Sequence, residues 1–307
     1  MKPEVSVIIP THNPRRDYLK RVLEALARQA LDRSRWELVV VDNASSEMGD
    51  GKWEMGGIFN ARIVREDKLG LTHARRRGFR ETTGEVVVMV DDDNVLSPNY
   101  LEEAGRILGE RPKLGAIGGK CLPEFEMEPE PWAREFLPLL ALRDHGEKEI
   151  VSGEVRSSDG RRRAYPDRAA PIGAGMVVRR PAADAWLAEE SDLPDRRGAE
   201  LSSAGDNDLV FQILRGGWEV GYFPRLVVTH LIPKERLTAK YLARANRGIQ
   251  RSWVQVLRKH DACPWPEISG WGLPLRKAKA WAPSRGWTQR GRIEWHGRCG
   301  NFEGRVA

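Results

Sequence analysis

T-G-E-V-V-V-M-V-D-D-D, Thr83 to Asp93, is the stretch on which the fold turns. Val86 to Val90 are apolar without a break, the pattern of a strand buried on both faces. The strand runs straight into three carboxylates. Residues two apart in extended backbone share a face, so Asp91 and Asp93 converge. Clustered carboxylates repel one another unless a proton or a cation lies between them. A hard divalent ion, Mn²⁺ or Mg²⁺, bridged to phosphates is one resolution. A loop of solvated acids capping the next helix is the other.

Upstream, the same design repeats. Val5 to Ile9 reads as a buried strand followed by the loop Pro10 to Pro14. Leu19, Val22, Leu23, Leu26 and Ala27 recur at helical spacing and predict a helix over Asp17 to Ala30. Leu38 to Val41 is a second buried strand ending at Asp42, and Arg62 to Val64 falls in a third. Thr72 is the expected cap of a helix reaching Thr83, with Gly84 as its stop. Ser97-Pro98 gives an N-cap and a proline at the first helical position, ahead of Tyr100, Leu101, Ala104, Ile107 and Leu108. Strands alternating with helices define an α/β chain built on one mostly parallel sheet flanked by helices. Ligands bind such sheets beyond the carboxyl ends of the strands. Three strand ends here carry chemistry, at Thr11-His12-Asn13, Asp42-Asn43 and Asp91-Asp92-Asp93.

Beyond residue 115 the alternation weakens. Glu124 to Pro131 and Gly153 to Pro171 read as long surface loops, and the latter is a candidate for closing over a ligand. Met176 to Val178 and Leu226 to Thr229 read as strands, and Asp208 to Leu214 as a helix. Gly205-Asp206-Asn207-Asp208 opens that helix, with an aspartate that serves as an N-cap or as a general base. His230 ends the second strand, as a structural group or as a ligand.

The C-terminal part differs in composition. From Lys234 onward there are 16 Lys and Arg against 5 Asp and Glu, although the whole chain carries only +6. Six of the 11 tryptophans lie in the same segment. Arg236 to Arg258 predicts a helix with two stripes. Leu242, Ala245, Ile249, Trp253 and Val256 form the apolar one; Lys240, Arg244, Arg247, Arg251 and Arg258 form the basic one. Two readings stand: the helix and the tryptophans after it hold the protein peripherally on an inner membrane surface, or the apolar stripe of the helix packs on the rest of the molecule. From Pro264 no regular structure is assignable. Cys121, Cys263 and Cys299 are odd in number and widely spaced, which argues against a disulfide framework or a zinc site. With no secretory signal and no apolar run of membrane-spanning length, a cytoplasmic location is expected.

Six blocks together resemble family 2 of the inverting glycosyltransferases. They are V-S-V-I-I-P-T-H-N (Val5 to Asn13), E-L-V-V-V-D-N-A-S (Glu37 to Ser45), G-L-T-H-A-R-R-R-G-F (Gly70 to Phe79), Thr83 to Asp93, G-A-G-M-V-V-R-R (Gly173 to Arg180), and the region from G-D-N-D-L (Gly205) to V-T-H (His230). Their order and spacing match that family over roughly residues 4 to 232. The resemblance implies a GT-A fold with a Rossmann-like sheet. It implies a nucleotide-sugar-binding part over residues 1–115, an acceptor-binding part over 116–233 and a basic extension over 234–307.

By position, Pro10, Thr11 and Asp42 resemble the base and ribose pocket, and Arg75 the arginine near the donor. Asp91, Asp92 and Asp93 resemble the acidic motif that meets donor and metal, with Asp93 as the direct ligand, and His230 resembles the histidine that follows. Asp206 matches the catalytic aspartate, with Asp208 as its rival. The family often has Asn where Arg76 stands, which implies a more basic donor pocket here. The implied partners are a nucleotide-diphosphate sugar, with UDP the family's commonest carrier, and a carbohydrate or lipid-linked acceptor; no nucleic acid is implied. Against a nucleotidyltransferase, the loop Thr11 to Arg16 lacks glycine. Against a dehydrogenase, no G-x-G-x-x-G follows a strand. A non-catalytic nucleotide binder with a basic tail leaves the acidic strand ends without a role.

Overall fold

A computed structural model describes residues 2–46, 57–58, 60–156, 160, 163–189, 193, 196 and 201–306. Its strands are β1 (Val5–Thr11), β2 (Trp36–Asn43), β3 (Ala61–Glu66), β4 (Val86–Met89), β5 (Asn94–Leu96), β6 (Leu114–Phe125), β7 (Ile150–Ser152), β8 (Val155–Arg156), β9 (Arg163–Ala164), β10 (Val177–Arg179) and β11 (Glu219–Ile232). Its helices are α1 (Arg16–Ala27), α2 (Leu71–Glu81), α3 (Tyr100–Glu110), α4 (Asp184–Ala188), α5 (Gly205–Arg215), α6 (Ala239–Lys259), α7 (Leu273–Trp281) and α8 (Gln289–Gly304).

The main sheet runs β3-β2-β1-β4-β10-β6-β11-β5, with β7 also on β11. β1 pairs in parallel with β2 and β4, β2 with β3, and β6 with β11. β10 is antiparallel to both neighbours, β4 and β6, in the middle of the sheet. The expected α/β architecture is therefore present, with that reversed strand as an addition. Alternation along β1 sorts the core into two layers. Val5, Val7 and Ile9 face a cluster with Leu19, Val22 and Leu26 of α1 and Leu101 and Ile107 of α3. Ile8 faces the other side, with Phe79 of α2, Trp186 of α4 and Leu209 and Ile213 of α5.

Two expected helix caps lie elsewhere. Gly70, not Thr72, caps α2, and Leu71 is already helical. Asn99 precedes α3, while Ser97-Pro98 forms the turn in which Ser97 accepts from the Tyr100 amide at 3.0 Å. The Gly153 to Pro171 segment is not simply a loop. It holds the β8–β9 hairpin, and beyond it the buried Arg143 guanidinium donates to the Asp167, Arg168 and Ala170 carbonyls. The candidate closing loop falls partly on residues 157–159 and 161–162, outside the described residues.

The C-terminal segment is two further helices: α8 packs along α6, and α7 packs on α8. The apolar stripe of α6 turns inward. Leu242 joins a cluster with Phe136, Leu140 and Ile293, and Val256 one with Phe211 and Ala204. Trp253 sits edge-on to Tyr165, ring centroids 5.0 Å apart. The basic stripe is partly covered by α8: Arg247 bonds Glu303, and Arg258 donates to the Val306 carbonyl at 2.9 Å. Of the two readings of this helix, packing on the rest of the molecule is the one found.

Candidate active site

β1 and β2 end in register, Thr11 opposite Asp42, and β4 ends beside them one residue before Val90-Asp91. A cleft of about 400 Å³ opens beyond these ends. Pro10, Thr11, His12 and Asn43 line one wall, and Asp91, Asp92 and Asp93 the floor. Asp206 and Gly173 come from the centre of the chain, while Arg236, Tyr241, Ala245 and Ile249 come from beyond residue 233. The start of the 234–307 segment, as far as Ile249, thus lines the cleft.

Asp93 is nearly buried, and its carboxylate is fully engaged. Oδ1 accepts from Asn94 Nδ2 at 3.0 Å, and Oδ2 lies 2.9 Å from Arg236 Nη2 and 3.4 Å from His230 Nε2. Register explains the histidine, because β11 pairs with β5 and places His230 opposite Asn94. Burial works to raise the Asp93 pKa, but the charges and hydrogen bond of His230, with Arg236, overcome it and hold it well below the usual carboxylate range. Asp92 goes the other way: burial, then the neighbouring Asp93 charge, pushes it up. It is tied to the strand end by the Thr11 hydroxyl. Asp91 is more open, with 30% of its side chain exposed and Arg75 Nη2 3.4 Å away.

Asp206 stands in the first turn of α5. It accepts from the Gly173 amide at 2.9 Å and the Asn207 amide at 3.0 Å. Tyr165 fixes Asn207 by a 2.8 Å bond to its side-chain oxygen. Gly173 is required for this closeness: a Cβ there would lie 2.5 Å from Arg75 Nη2 and 3.0 Å from Asp206 Oδ2.

Three sequence expectations are corrected. Asp208, the rival base, is 1% exposed and lies off the cleft. Two residues along a helix point to opposite sides, and Asp208 turns into the core, 2.8 Å from both Lys259 Nζ and His260 Nε2. Asp42 does not line the cleft. Its oxygens are taken by Arg65 at 2.7 Å and the Ser45 amide at 3.3 Å, and Asn43 faces the cleft instead. Arg76 does not make the pocket basic, for its guanidinium lies over the Trp186 ring, 4.7 Å from the centroid. Among the described residues no group of three or more His, Cys, Asp or Glu side chains is gathered to hold an ion, and His230 Nε2 faces Asp93 at 3.4 Å. The donor set still fits a hard cation that takes one or two carboxylates and completes its shell from a phosphate ligand, with Asp91 and Asp93 as the protein's share.

Sequence reasoning missed Arg236, which it placed at the start of the basic helix. A 3-10 turn over Lys234–Leu237 folds it back onto Asp93. A cation six residues after a strand-end histidine is the only trace in the sequence, and it does not predict that turn. Arg196, whose side chain also lines the cleft, carries no sequence signal either.

The Glycosyl transferase family 2 model matches residues 6–185. The chain is 27% identical over 161 residues to the glucosyl-dolichyl phosphate glucuronosyltransferase of Haloferax volcanii, covering 51% of this chain and 50% of that one. The chain spans about half or less of the length of the curated relatives it matches. In fold it resembles a Pyrobaculum calidifontis mannosyltransferase in complex with GDP-Man and Mn²⁺, with TM-score 0.58 and 20% identity over 98% of this chain and 73% of the other. It also resembles S. aureus TarS 1-349 in complex with UDP, with TM-score 0.56 and 16% identity over 99% and 89%. Both likenesses support the GT-A fold. A match of that extent, on a sheet whose strand ends gather Asp91 to Asp93 and Asp206 in one cleft, places the chain in glycosyl transferase family 2.

Proposed function

We propose that the protein transfers a sugar from a nucleoside diphosphate sugar to an acceptor hydroxyl, with inversion at the anomeric carbon and with Asp206 as general base. The observation that carries this reading is the meeting of Asp206 and the Asp91–Asp93 floor in one cleft, with Arg75 between them. The wall at Pro10, Thr11 and Asn43 receives the nucleotide. Arg75 and Arg236 face the diphosphate, and Arg236 is placed to exchange Asp93 for a phosphate oxygen. A divalent ion at Asp91 and Asp93 supplies neutralisation of the leaving diphosphate.

Asp206 takes the acceptor proton as the acceptor oxygen bonds to the anomeric carbon. The bond from that carbon to the diphosphate breaks on the opposite face, and its electrons leave with the nucleoside diphosphate. Charge develops on the sugar ring as an oxocarbenium-like transition state. Residues 1–115 hold the donor. Residues 116–233, with Tyr241, Ala245 and Ile249 of α6, face the acceptor. The relative acting on a glucosyl-dolichyl phosphate makes a lipid-linked acceptor the first to try, and the UDP and GDP-Man complexes put UDP- and GDP-sugars first among donors.

The test is nucleoside diphosphate release from a panel of nucleotide sugars, with Mn²⁺ or EDTA. Slow metal-dependent hydrolysis of one donor is expected, abolished in Asp93→Ala. Asp206→Asn is expected to bind that donor normally and lose roughly 10²- to 10⁴-fold in transfer. If no donor is bound or turned over, the reading fails.

A further inference from the structure

We propose that the outward face of α7, with the turns on either side of it, is a docking surface for an anionic lipid bilayer. Surface helices ordinarily turn their apolar side to the core. α7 does the reverse. Ala280 is buried, and Lys277 reaches inward to Glu303 on α8 at 2.5 Å. On the opposite side Leu275, Ala278 and Ala282 are open to solvent. One turn ahead, Trp271 is 90% exposed, and beyond the helix Trp287 is 64% exposed. Among the described residues nine large apolar side chains are exposed, and five of them (Trp265, Trp271, Leu275, Trp281 and Trp287) fall in this short segment. Scattered exposed apolar groups are ordinary; a cluster marks an interaction surface.

Charge decides what docks there. Ile268 to Arg292 holds six Lys and Arg and no Asp or Glu. Arg276, Lys279, Arg285 and Arg292 are exposed, and none of them pairs with an acid among the described residues. Lys279 and Arg276 lie along one side of the apolar strip of the helix. A second copy of the same face would set cation against cation. A nucleic acid would answer the charges but give Leu275, Ala278 and Ala282 no role. A bilayer interface takes both: indoles settle at headgroup depth, short aliphatic groups below them, and Lys and Arg meet the lipid phosphates. Contact of this kind is peripheral, and no helix among the described residues is long and apolar enough to cross a membrane. The surface is not the two-striped α6, whose apolar face is buried, but the segment after it.

The experiment is co-sedimentation of the full chain with phosphatidylglycerol–phosphatidylcholine vesicles and with phosphatidylcholine vesicles alone. It does not depend on the reading of the cleft, because binding is the readout. The protein is expected to pellet with the anionic vesicles at low salt, to be released by high salt, and to ignore the neutral ones. Each cation near an anionic surface contributes about 1 kcal/mol, so removing two in R276E/K279E lowers partition by roughly thirty-fold or more. Trp271→Ser with Leu275→Ser is expected to lower it by about tenfold or more. All four positions are exposed, so circular dichroism should be unchanged. Wild type left in the supernatant at low salt, or pelleting undiminished in both variants, would overturn the proposal. So would dimerisation through Trp271, or oligonucleotide binding, in the absence of vesicle binding.

Discussion

Gly173 shows how much a single missing side chain can decide. Its backbone holds Asp206 by an amide, while its bare α-carbon leaves the room that the Arg75 guanidinium and that carboxylate both occupy. Gly173→Ala is expected to push one of them aside. Displacement of a reacting group by about 1 Å costs on the order of a hundredfold, so kcat/KM should fall by about that much. The thermal midpoint should move little, since the side chains displaced border an open cleft. Asp208, two residues from Asp206, illustrates the opposite fate. Burial works to raise its pKa, but the hydrogen bonds and charges of His260 and Lys259 outweigh it and hold the value below the usual range. A carboxyl with a depressed folded pKa stabilises above its unfolded value and loses that contribution as pH falls through the folded one. Asp208→Asn should therefore cost about 3 kcal/mol at neutral pH, as breaking a buried pair does. The gap to wild type should close as pH drops below about 4. Thermal melts of both proteins across that range test it, and a gap that persists unchanged at low pH would remove the ion pair from the account.

At the scale of elements, the helices that sequence periodicity predicted are those that bury an apolar stripe. α1, α3 and α5 each turn leucine, isoleucine or valine to the sheet. The apolar stripe of α6 was equally legible, but where it packs was not, because a membrane and a protein core select the same pattern. α8 escaped altogether. It meets α6 through Gly297, Gly300 and Gly304, where a Cβ would run into Asn246, the Arg247 carbonyl and the Arg251 carbonyl. Close backbone approach of this kind leaves no apolar repeat to read. Gly300→Ala is expected to destabilise by about 1–3 kcal/mol, since the obstacle is backbone and cannot rotate away. The same change should weaken ligand binding, because Tyr241, Ala245 and Ile249 of the displaced helix line the cleft. A melt and the KM for the acceptor measure the two effects.

At the scale of the whole molecule, one edge of one sheet collects residues more than two hundred positions apart, from Pro10 to Ile249. Thr11 and Asp91 to Asp93 were readable beforehand because a strand buried on both faces must end at the sheet margin, and parallel strands end at the same margin. Asp206 was readable only through family likeness, since an aspartate opening a helix is chemically ambiguous until its neighbours are known. The α/β class, the parallel strands and the acidic floor follow from local periodicity and abrupt changes of polarity along the chain. Only packing decides that Asp208 faces the core and Asp206 the cleft, that Arg236 returns to Asp93, and that α6 completes the site. Each of these depends on which distant surface a side chain meets. That is set by the packing of whole elements, and no short window of sequence encodes it.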